Sequence, residues 1–316
     1  MTPPPLRVLR RRPAGPGAKH FLAAPAEDPR RRIEFVVESL PGRRGRAVSV
    51  SVALGCPVAC RVCDAGDFPY GGNLGLGTLL AQVEQALSWE SGGRSAGFPR
   101  LEVRFTRMGE PSFNPAVLKA LERLSSEHPG LVPVLSTVAP ACAVSRAFLE
   151  RLRRLRDRRF RRGGLELRFS LLSTDPEARR ALVPVRTWSL EEIAAFGRRW
   201  ARGGRGKAVL SCALPRGIPF DPEVIARTFS PQAFAVRFTP VHPTRRARRN
   251  RLFRLWRRPP ADLLALSRRL RRLGFEVRFE GTPPALSEGG AACGHAEGAT
   301  RRAGYARIRS GVLEPA

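Results

Sequence analysis

The sequence predicts an α/β protein built on a largely parallel sheet. Apolar, β-rich runs alternate with segments of helical period along most of the 316 residues, and this alternation is typical of βαβ units. Connections of this kind are right-handed, and six or seven of them form a barrel or part of one. Reactive side chains in such folds lie on the loops that follow the carboxyl ends of the strands.

Seven predicted strands and six predicted helices carry this interpretation. The strands are expected at residues 48–54, 101–106, 132–138, 165–171, 207–214, 233–239 and 275–280. The helices are expected at residues 78–89, 115–124, 145–155, 190–200, 222–228 and 261–273. Each helical segment repeats apolar residues at spacings of three and four. In the last helix these residues are Leu263, Leu266, Leu270 and Leu273.

Three regions are expected along the chain. Residues 1–32 are rich in proline and arginine and are expected to form a flexible basic arm. Residues 33–300 are expected to hold the barrel with its flanking strands, and residues 301–316 a C-terminal tail. The arm lacks the apolar core of a secretory signal, and no apolar run approaches the ~18 residues of a membrane span. A cytoplasmic protein without a membrane partner is therefore expected.

The net charge of +29 predicts a polyanionic partner, and nucleic acid is the obvious one. A GC-rich genome explains why arginine replaces lysine, but not why acidic residues number only 27. Residues 245–258 alternate arginines with apolar and aromatic side chains, a pattern that suits phosphate contact and base stacking. The apolar members are Leu252, Phe253, Leu255 and Trp256. The alternative is an amphipathic segment docked on the barrel.

Three cysteines crowd the loop that follows the first predicted strand. Cys56, Cys60 and Cys63 are separated by gaps of three and two residues. Three thiolates on one loop can hold three corners of an iron–sulfur cube, which leaves the fourth iron open to a substrate or cofactor. The alternative is a zinc site completed by His242 or His295. Three cysteines so close together do not form a secreted disulfide framework, and a reducing compartment fits an oxygen-sensitive cluster.

The cysteine motif C-x-x-x-C-x-x-C, which follows the first predicted strand, resembles the motif of the radical S-adenosylmethionine (SAM) enzymes. Further motifs, in order, resemble the RlmN/Cfr branch, which methylates adenosine in RNA. They are Cys63-Asp-Ala-Gly66, Met108-Gly-Glu-Pro111, Ser136-Thr-Val138, Ser170-Leu-Leu172, Thr239-Pro-Val-His-Pro243 and Ala291-Ala-Cys-Gly294. The resemblance implies a partial (βα)6-type TIM-like barrel of the radical SAM kind, with short N- and C-terminal extensions. It also implies a [4Fe-4S] cluster and SAM as cofactors.

The resemblance assigns cofactor roles to residues of this chain. It makes Cys56, Cys60 and Cys63 the ligands of the cluster, whose open iron takes the amino and carboxylate groups of SAM. It gives the SAM site five further residues: Gly109, Glu110, Ser136, Ser170 and His242. Of these, Glu110 would accept a hydrogen bond from the SAM amino group, and Gly109 would allow close backbone approach. His242 stands where the family has asparagine.

The resemblance also implies a methyl-transfer route and shows where this chain departs from it. Cys293 matches the cysteine that carries the methyl group, and Glu34 aligns with the proton acceptor. The family has a second cysteine seven residues before the cluster motif, which frees the product, and this chain has Ser49 there. A hydroxyl is a far poorer nucleophile than a thiol. Cys142 or Cys212 are possible substitutes, although both also fit ordinary buried positions.

Three functions follow from these observations. The first is a radical SAM enzyme that cleaves SAM to a 5′-deoxyadenosyl radical and methylates adenine in ribosomal or transfer RNA. The second is a radical SAM enzyme that acts on a different substrate without the two-cysteine route. The third is a basic RNA-binding protein with a structural cluster. Both enzyme functions require a reducing partner, which the resemblance implies to be flavodoxin- or ferredoxin-like.

Overall fold

A ten-stranded sheet organises the chain in the computed structural model, which describes residues 6–15, 17–25, 30, 32–40, 45–90, 98–160, 164–204 and 206–280. Its strands are β1 (Leu6–Gly15), β2 (Ala18–Pro25), β3 (Ile33–Ser39), β4 (Arg46–Val50), β7 (Leu101–Phe105), β8 (Leu131–Thr137), β9 (Glu166–Leu171), β10 (Ala208–Ala213), β11 (Phe234–Thr239) and β12 (Val277–Phe279). Two short strands, β5 (Ala53–Leu54) and β6 (Gly72–Asn73), pair with each other.

Helices connect the strands of the parallel part of the sheet. They are α1 (Leu76–Glu90), α2 (Ala116–Glu127), α3 (Ala143–Arg159), α4 (Pro176–Leu182), α5 (Leu190–Ala201), α6 (Pro222–Thr228), α7 (Arg245–Arg249) and α8 (Ala261–Arg272). The sequence did not predict α4 and α7, which are seven and five residues long. In the parts of the chain that the structure describes, none of the helices combines the length and the apolar character needed to cross a membrane.

The sheet has the order β1-β2-β3-β4-β7-β8-β9-β10-β11-β12. Strands β1 to β4 form an antiparallel meander. From β4 to β12 every neighbouring pair is parallel. All seven predicted strands occur within a few residues of their expected positions. The predicted α/β fold with a parallel sheet is confirmed. The edge strands of the sheet are β1 and β12.

The two faces of the sheet differ in chemistry. One face is apolar and packs under the helices, where Phe169 of β9 meets Trp188 and Phe196. The opposite face carries charged side chains at its centre, including an ion pair between Arg104 and Glu102 at 2.8 Å. Burial and the neighbouring Arg168 lower the pKa of Arg237 on this face to about 9. The hydrophobic core therefore lies between sheet and helices, and we call the opposite side the cavity face.

The expected flexible arm at residues 1–32 is wrong for the residues that the structure describes there. Strands β1 and β2 form a hairpin, and β2 pairs with β3 so that Phe21 lies opposite Phe35. Their rings stack with centroids 4.6 Å apart. The guanidinium of Arg11 lies 4.2 Å from the centre of the Trp89 ring, a cation–π contact. The exposed Arg10 and Arg11 of β1 suit an edge strand, because charged side chains protect an exposed edge.

Candidate active site

A cavity of about 440 Å³ opens at the carboxyl ends of the parallel strands. Hydroxyl side chains from four strands of the sheet line it: Ser49 of β4, Ser170 of β9, Ser211 of β10 and Thr239 of β11. Cys60 and Cys63 join them from the loop after β5, and His242 from the loop after β11. The position agrees with the rule that reactive groups follow the strand ends. Five residues that the sequence singled out thus meet at one cavity: Ser49, Cys60, Cys63, Ser170 and His242.

The cysteine loop is a tight turn with two residues in left-handed backbone conformations. These are Gly55 (φ +72°) and Ala59 (φ +53°). The Cys63 N–H donates to the Cys60 carbonyl at 3.1 Å. Burial, with the neighbouring Cys63 thiol second, raises the pKa of Cys56 to about 12. The three thiols are thus close enough that the negative charge of one thiolate disfavours deprotonation of the others. A bound cationic centre would stabilise the thiolates.

This donor set fits the cluster that the family implies. Cys56, Cys60 and Cys63 are cysteines of intermediate exposure, and thiolates are the protein ligands that iron–sulfur clusters take. Among the residues that the structure describes, no three His, Cys, Asp or Glu side chains meet where a single metal ion would bind. His295, one of the two histidines of the zinc alternative, lies outside the described residues.

The basic segment 245–258 docks on the outside of the cysteine loop. Asp64, next to Cys63, accepts hydrogen bonds from the backbone N–H of Arg245 at 3.1 Å and of Arg246 at 2.9 Å. The Thr244 hydroxyl donates to the Val62 carbonyl at 2.8 Å. The docked-segment interpretation is therefore confirmed. The alternative, an RNA contact, stays a prediction, because several arginines of the segment and Phe253 remain exposed.

Glu110 is buried under the cavity wall and is surrounded by donors. Its Oε1 accepts from the Ser112 N–H at 3.0 Å, the Ser112 hydroxyl at 2.8 Å and the Thr137 hydroxyl at 2.5 Å. Its Oε2 accepts from the Val138 N–H at 3.1 Å. Burial raises the pKa of the Glu110 carboxyl group. The carboxylate joins the loop after β7 to the end of β8, and its contact with a SAM amino group stays a prediction.

Gly109 occupies a position that only glycine fits. Its φ is +103°, and a Cβ there would lie 2.7 Å from both Ala53 Cβ and Val52 Cγ2. We expect Gly109→Ala to lower the free energy of unfolding by the cost of the backbone conformation, about 1–3 kcal/mol, plus overpacking of about 1–3 kcal/mol. Urea unfolding followed by circular dichroism measures the loss.

Gly72 provides a matched control for this substitution. Its φ is +100°, and none of the described atoms lies within 4 Å of a Cβ added there. Gly72→Ala should therefore show the conformational cost alone. Equal losses at the two positions would mean that the contacts of Gly109 with Val52 and Ala53 do not constrain the loop.

Glu34 lies beside the cavity and does not line it. Its side chain is completely buried, and the Arg107 Nη2 donates to its Oε2 at 2.8 Å. Arg107 itself lines the cavity. As the predicted proton acceptor, Glu34 would reach a substrate only if Arg107 moved aside. The sequence analysis missed Arg107, although its place directly after a predicted strand was a signal that could have found it.

The remaining predicted residues lie in different parts of the fold. Ser136 lies opposite Arg168 in the register of β8 and β9, on the cavity face. Cys212 is fully buried in the core, on the helix face of β10. Cys142 is exposed at the N-terminus of α3. Neither cysteine lines the cavity beside Ser49, so neither is placed to substitute for it. Cys293 lies outside the described residues.

Comparison with known sequences gives one consistent group of relatives. No protein-family model matches the chain. It is 29% identical over 228 residues to a probable dual-specificity RNA methyltransferase RlmN of Saccharopolyspora erythraea, covering 67% of this chain and 58% of the relative. A protein of the same description from Mycolicibacterium smegmatis is 31% identical over 199 residues, covering 60% and 52%. The chain thus spans between half and three fifths of the length of these curated relatives.

Comparison with solved structures supports the fold over nearly the whole chain. The crystal structure of a radical SAM methyltransferase from Sphaerobacter thermophilus superposes with a TM-score of 0.72 at 23% identity, covering 93% of this chain and 81% of that one. The chain therefore shares the fold of that methyltransferase. Its sequence is distantly similar to those of the curated proteins described as RlmN RNA methyltransferases.

Proposed function

We propose that this protein is a radical SAM enzyme. Cys56, Cys60 and Cys63 would hold a [4Fe-4S] cluster, and SAM would bind at its open iron. When bound and reduced, the cluster supplies the electron that cleaves SAM to a 5′-deoxyadenosyl radical. The observation that carries the proposal is that Cys60 and Cys63 open onto the same cavity as Ser170 and His242.

The residues of the chain would position SAM and keep water out. Ser170, Ser211 and Thr239 offer hydroxyl groups to its polar parts along the strand ends. The His242 Nδ1 is buried without a hydrogen-bond partner among the described residues, and a bound molecule would satisfy it. The apolar side chains of Val62 and Val138 cover the wall beside the cysteines. Apolar side chains at this wall would help to exclude water from a reactive intermediate.

We further propose methylation of adenine in RNA, ribosomal or transfer, as the reaction. The names of the curated relatives and the net charge of +29 support an RNA substrate. In this reaction Cys293 would carry the methyl group between SAM and the base. A flavodoxin- or ferredoxin-like protein would supply electrons to the cluster.

A second candidate function is favoured by the surroundings of Ser49. A hydroxyl occupies the cavity where the related route needs a thiol, and Cys142 and Cys212 lie away from it. These positions support a radical SAM enzyme that modifies another substrate without a two-cysteine transfer. The binding-only function is less favoured, because RNA binding alone does not require a cavity beside the cysteines.

Comparing the nucleoside modifications of RNA from cells with and without the gene distinguishes the two candidate enzyme functions. Ribosomal and transfer RNA from cells lacking the gene would be analysed by mass spectrometry of nucleosides, beside RNA from cells complemented with the intact gene. Loss of a methyladenosine that returns on complementation supports RNA methylation. An unchanged nucleoside profile, together with SAM cleavage by the purified protein, supports the second function.

We expect the exposed arginines of the docked segment to contribute to RNA affinity. Replacing Arg245, Arg248 and Arg251 with glutamine should weaken binding of a single-stranded RNA about tenfold, because three phosphate contacts are lost. The slope of log K against log salt should flatten by about 2. Fluorescence anisotropy at several salt concentrations measures both quantities.

A matched control removes the same charge elsewhere. Arg198, Arg202 and Arg227 are also exposed but lie outside the segment, and their replacement with glutamine should change the slope little. If both triple variants lost affinity equally, binding would depend on total charge and the segment would have no particular role.

A further inference from the structure

A buried ion pair stands behind the cavity wall and joins three parts of the sheet. The Arg107 Nη2, from the loop after β7, donates to the Oε2 of Glu34 in β3 at 2.8 Å. The Nε2 of His20 in β2 lies 3.2 Å from the same Nη2 and 3.4 Å from the Glu34 Oε2. Glu34 and His20 are buried, whereas Arg107 lines the cavity. The pair therefore has one end in the protein interior and one at the cavity.

The backbone on both sides of this pair is held by one hydroxyl group. The Ser51 Oγ donates to the Glu34 carbonyl at 2.5 Å. It accepts from the Glu34 N–H and from the Met108 N–H, each at 3.3 Å. Ser51 thus links the strand that carries Glu34 to the residue that follows Arg107. The guanidinium is held in place before any ligand arrives, and such preorganisation favours binding.

The charge of this group is positive on balance. Burial lowers the pKa of His20, so its imidazole is neutral at pH 7. A second guanidinium, that of Arg12, acts electrostatically on both His20 and Glu34. Two cations thus surround one carboxylate. Arg104, the other arginine of the lining, differs because it faces two carboxylates, those of Glu38 and Glu102. Arg107 is therefore the lining guanidinium whose carboxylate partner is also acted on by a second cation.

His242 supplies a second polar group close to Arg107. Burial, and then the charge of Arg107, lower the pKa of His242, so it too is neutral at pH 7. Its buried Nδ1 lacks a hydrogen-bond partner among the described residues. A neutral imidazole can donate from one ring nitrogen. A fixed guanidinium with a neutral donor beside it is an arrangement that suits an oxyanion.

We infer that Arg107 binds an oxyanion of the molecule in the cavity, a carboxylate or a phosphate, and that Glu34 and His20 are positioning residues that hold its guanidinium. The inference rests on the proposed function only for the source of that oxyanion, which is the carboxylate of SAM or a phosphate of the RNA. It gives Glu34 a task that its complete burial permits.

Two binding arms test the inference on the cluster-reconstituted protein under anaerobic conditions. One compares SAM with decarboxylated SAM, and the other compares adenosine 5′-monophosphate with adenosine, each by equilibrium dialysis. In one arm Arg107→Met should reduce the preference for the anionic ligand by about tenfold to 100-fold, because a charged hydrogen bond contributes about 1.5–3 kcal/mol. The arm that changes identifies the source of the oxyanion.

Further variants separate recognition from misfolding. Arg107→Lys keeps the charge without the planar fork and should retain part of the preference. Glu34→Gln should reduce the preference less than Arg107→Met, because the guanidinium remains but is less well held. Arg100→Met removes an ion-paired arginine outside the cavity lining and should leave both arms unchanged. All variants should keep the wild-type circular dichroism spectrum.

The inference is overturned if Arg107→Met keeps the wild-type preference in both arms. It is equally overturned if Arg100→Met changes the preference as much as Arg107→Met does. The readout is binding without turnover, so it does not depend on catalysis. A protein that failed to cleave SAM but lost its anion preference with Arg107 would refute the proposed function and leave this inference standing.

Discussion

Replacing Cys60 with alanine is expected to abolish SAM cleavage. Cys60 provides one of three thiolates on a single loop, and the cavity wall beside it offers no fourth cysteine among the described residues. A cluster that loses one of three protein ligands is no longer held at the cavity. After anaerobic reconstitution and reduction, 5′-deoxyadenosine measured by liquid chromatography should fall to the level of the buffer blank.

Cys142→Ala is the matched control for this substitution. It removes an exposed thiol at the start of α3, outside the cavity lining, and should leave iron content and SAM cleavage unchanged. Iron and sulfide analysis of both variants shows whether the cluster itself is lost. Wild-type cleavage by the Cys60→Ala protein would rule out the assigned ligand set.

Replacing Ser49 with cysteine is expected to change how the reaction ends. Ser49 lines the cavity and lies opposite Val36 and Arg104 in the sheet register. If Cys293 carries the methyl group, the wild-type protein lacks a thiol to free the product, and RNA should accumulate as a covalent adduct. A thiol in the same place is a far better nucleophile, so Ser49→Cys should raise multiple turnover by about tenfold or more.

Mass spectrometry of intact protein and of RNA nucleosides measures adduct and product together. Ser211→Cys introduces a thiol elsewhere in the same cavity. It should not release product if release requires the thiol at position 49. The two-cysteine route would be excluded if Cys293 carried neither a methyl group nor an RNA adduct in wild type and in Ser49→Cys. The second proposed function predicts that outcome.

Most of the parallel sheet could be predicted because its signal is local and periodic. These strands repeat apolar residues at every second position, as in β9 and β11, and the sequence displays this repeat directly. The N-terminal hairpin escaped prediction because its arginines hide the short apolar stretch around Phe21 and Leu22. Its stability depends on pairing with β3, and that contact is tertiary.

Parts of the site could be predicted, and others depend on contacts distant in sequence. The cysteine spacing and the family motifs pointed to Cys60, Cys63, Ser170 and His242, which meet at the cavity. The hydrogen bond from the Arg246 N–H to Asp64 joins residues 182 positions apart, and a local pattern does not reveal it. Arginines in a basic chain resemble solvated side chains, so the buried contact of Arg107 with Glu34 was not foreseen.

The two-faced sheet has a consequence for how this protein can diverge. Residues such as Phe169 and Phe238 maintain the core on the helix side, and they lie away from the chemistry. Side chains on the other side, Ser49 and Arg107 among them, line the cavity. A substitution at Ser49 would change what the cavity can bind and leave the core intact, whereas Arg107 also forms the buried ion pair with Glu34, so that its loss would cost stability. The cavity can therefore diverge at a few lining residues while the core remains unchanged.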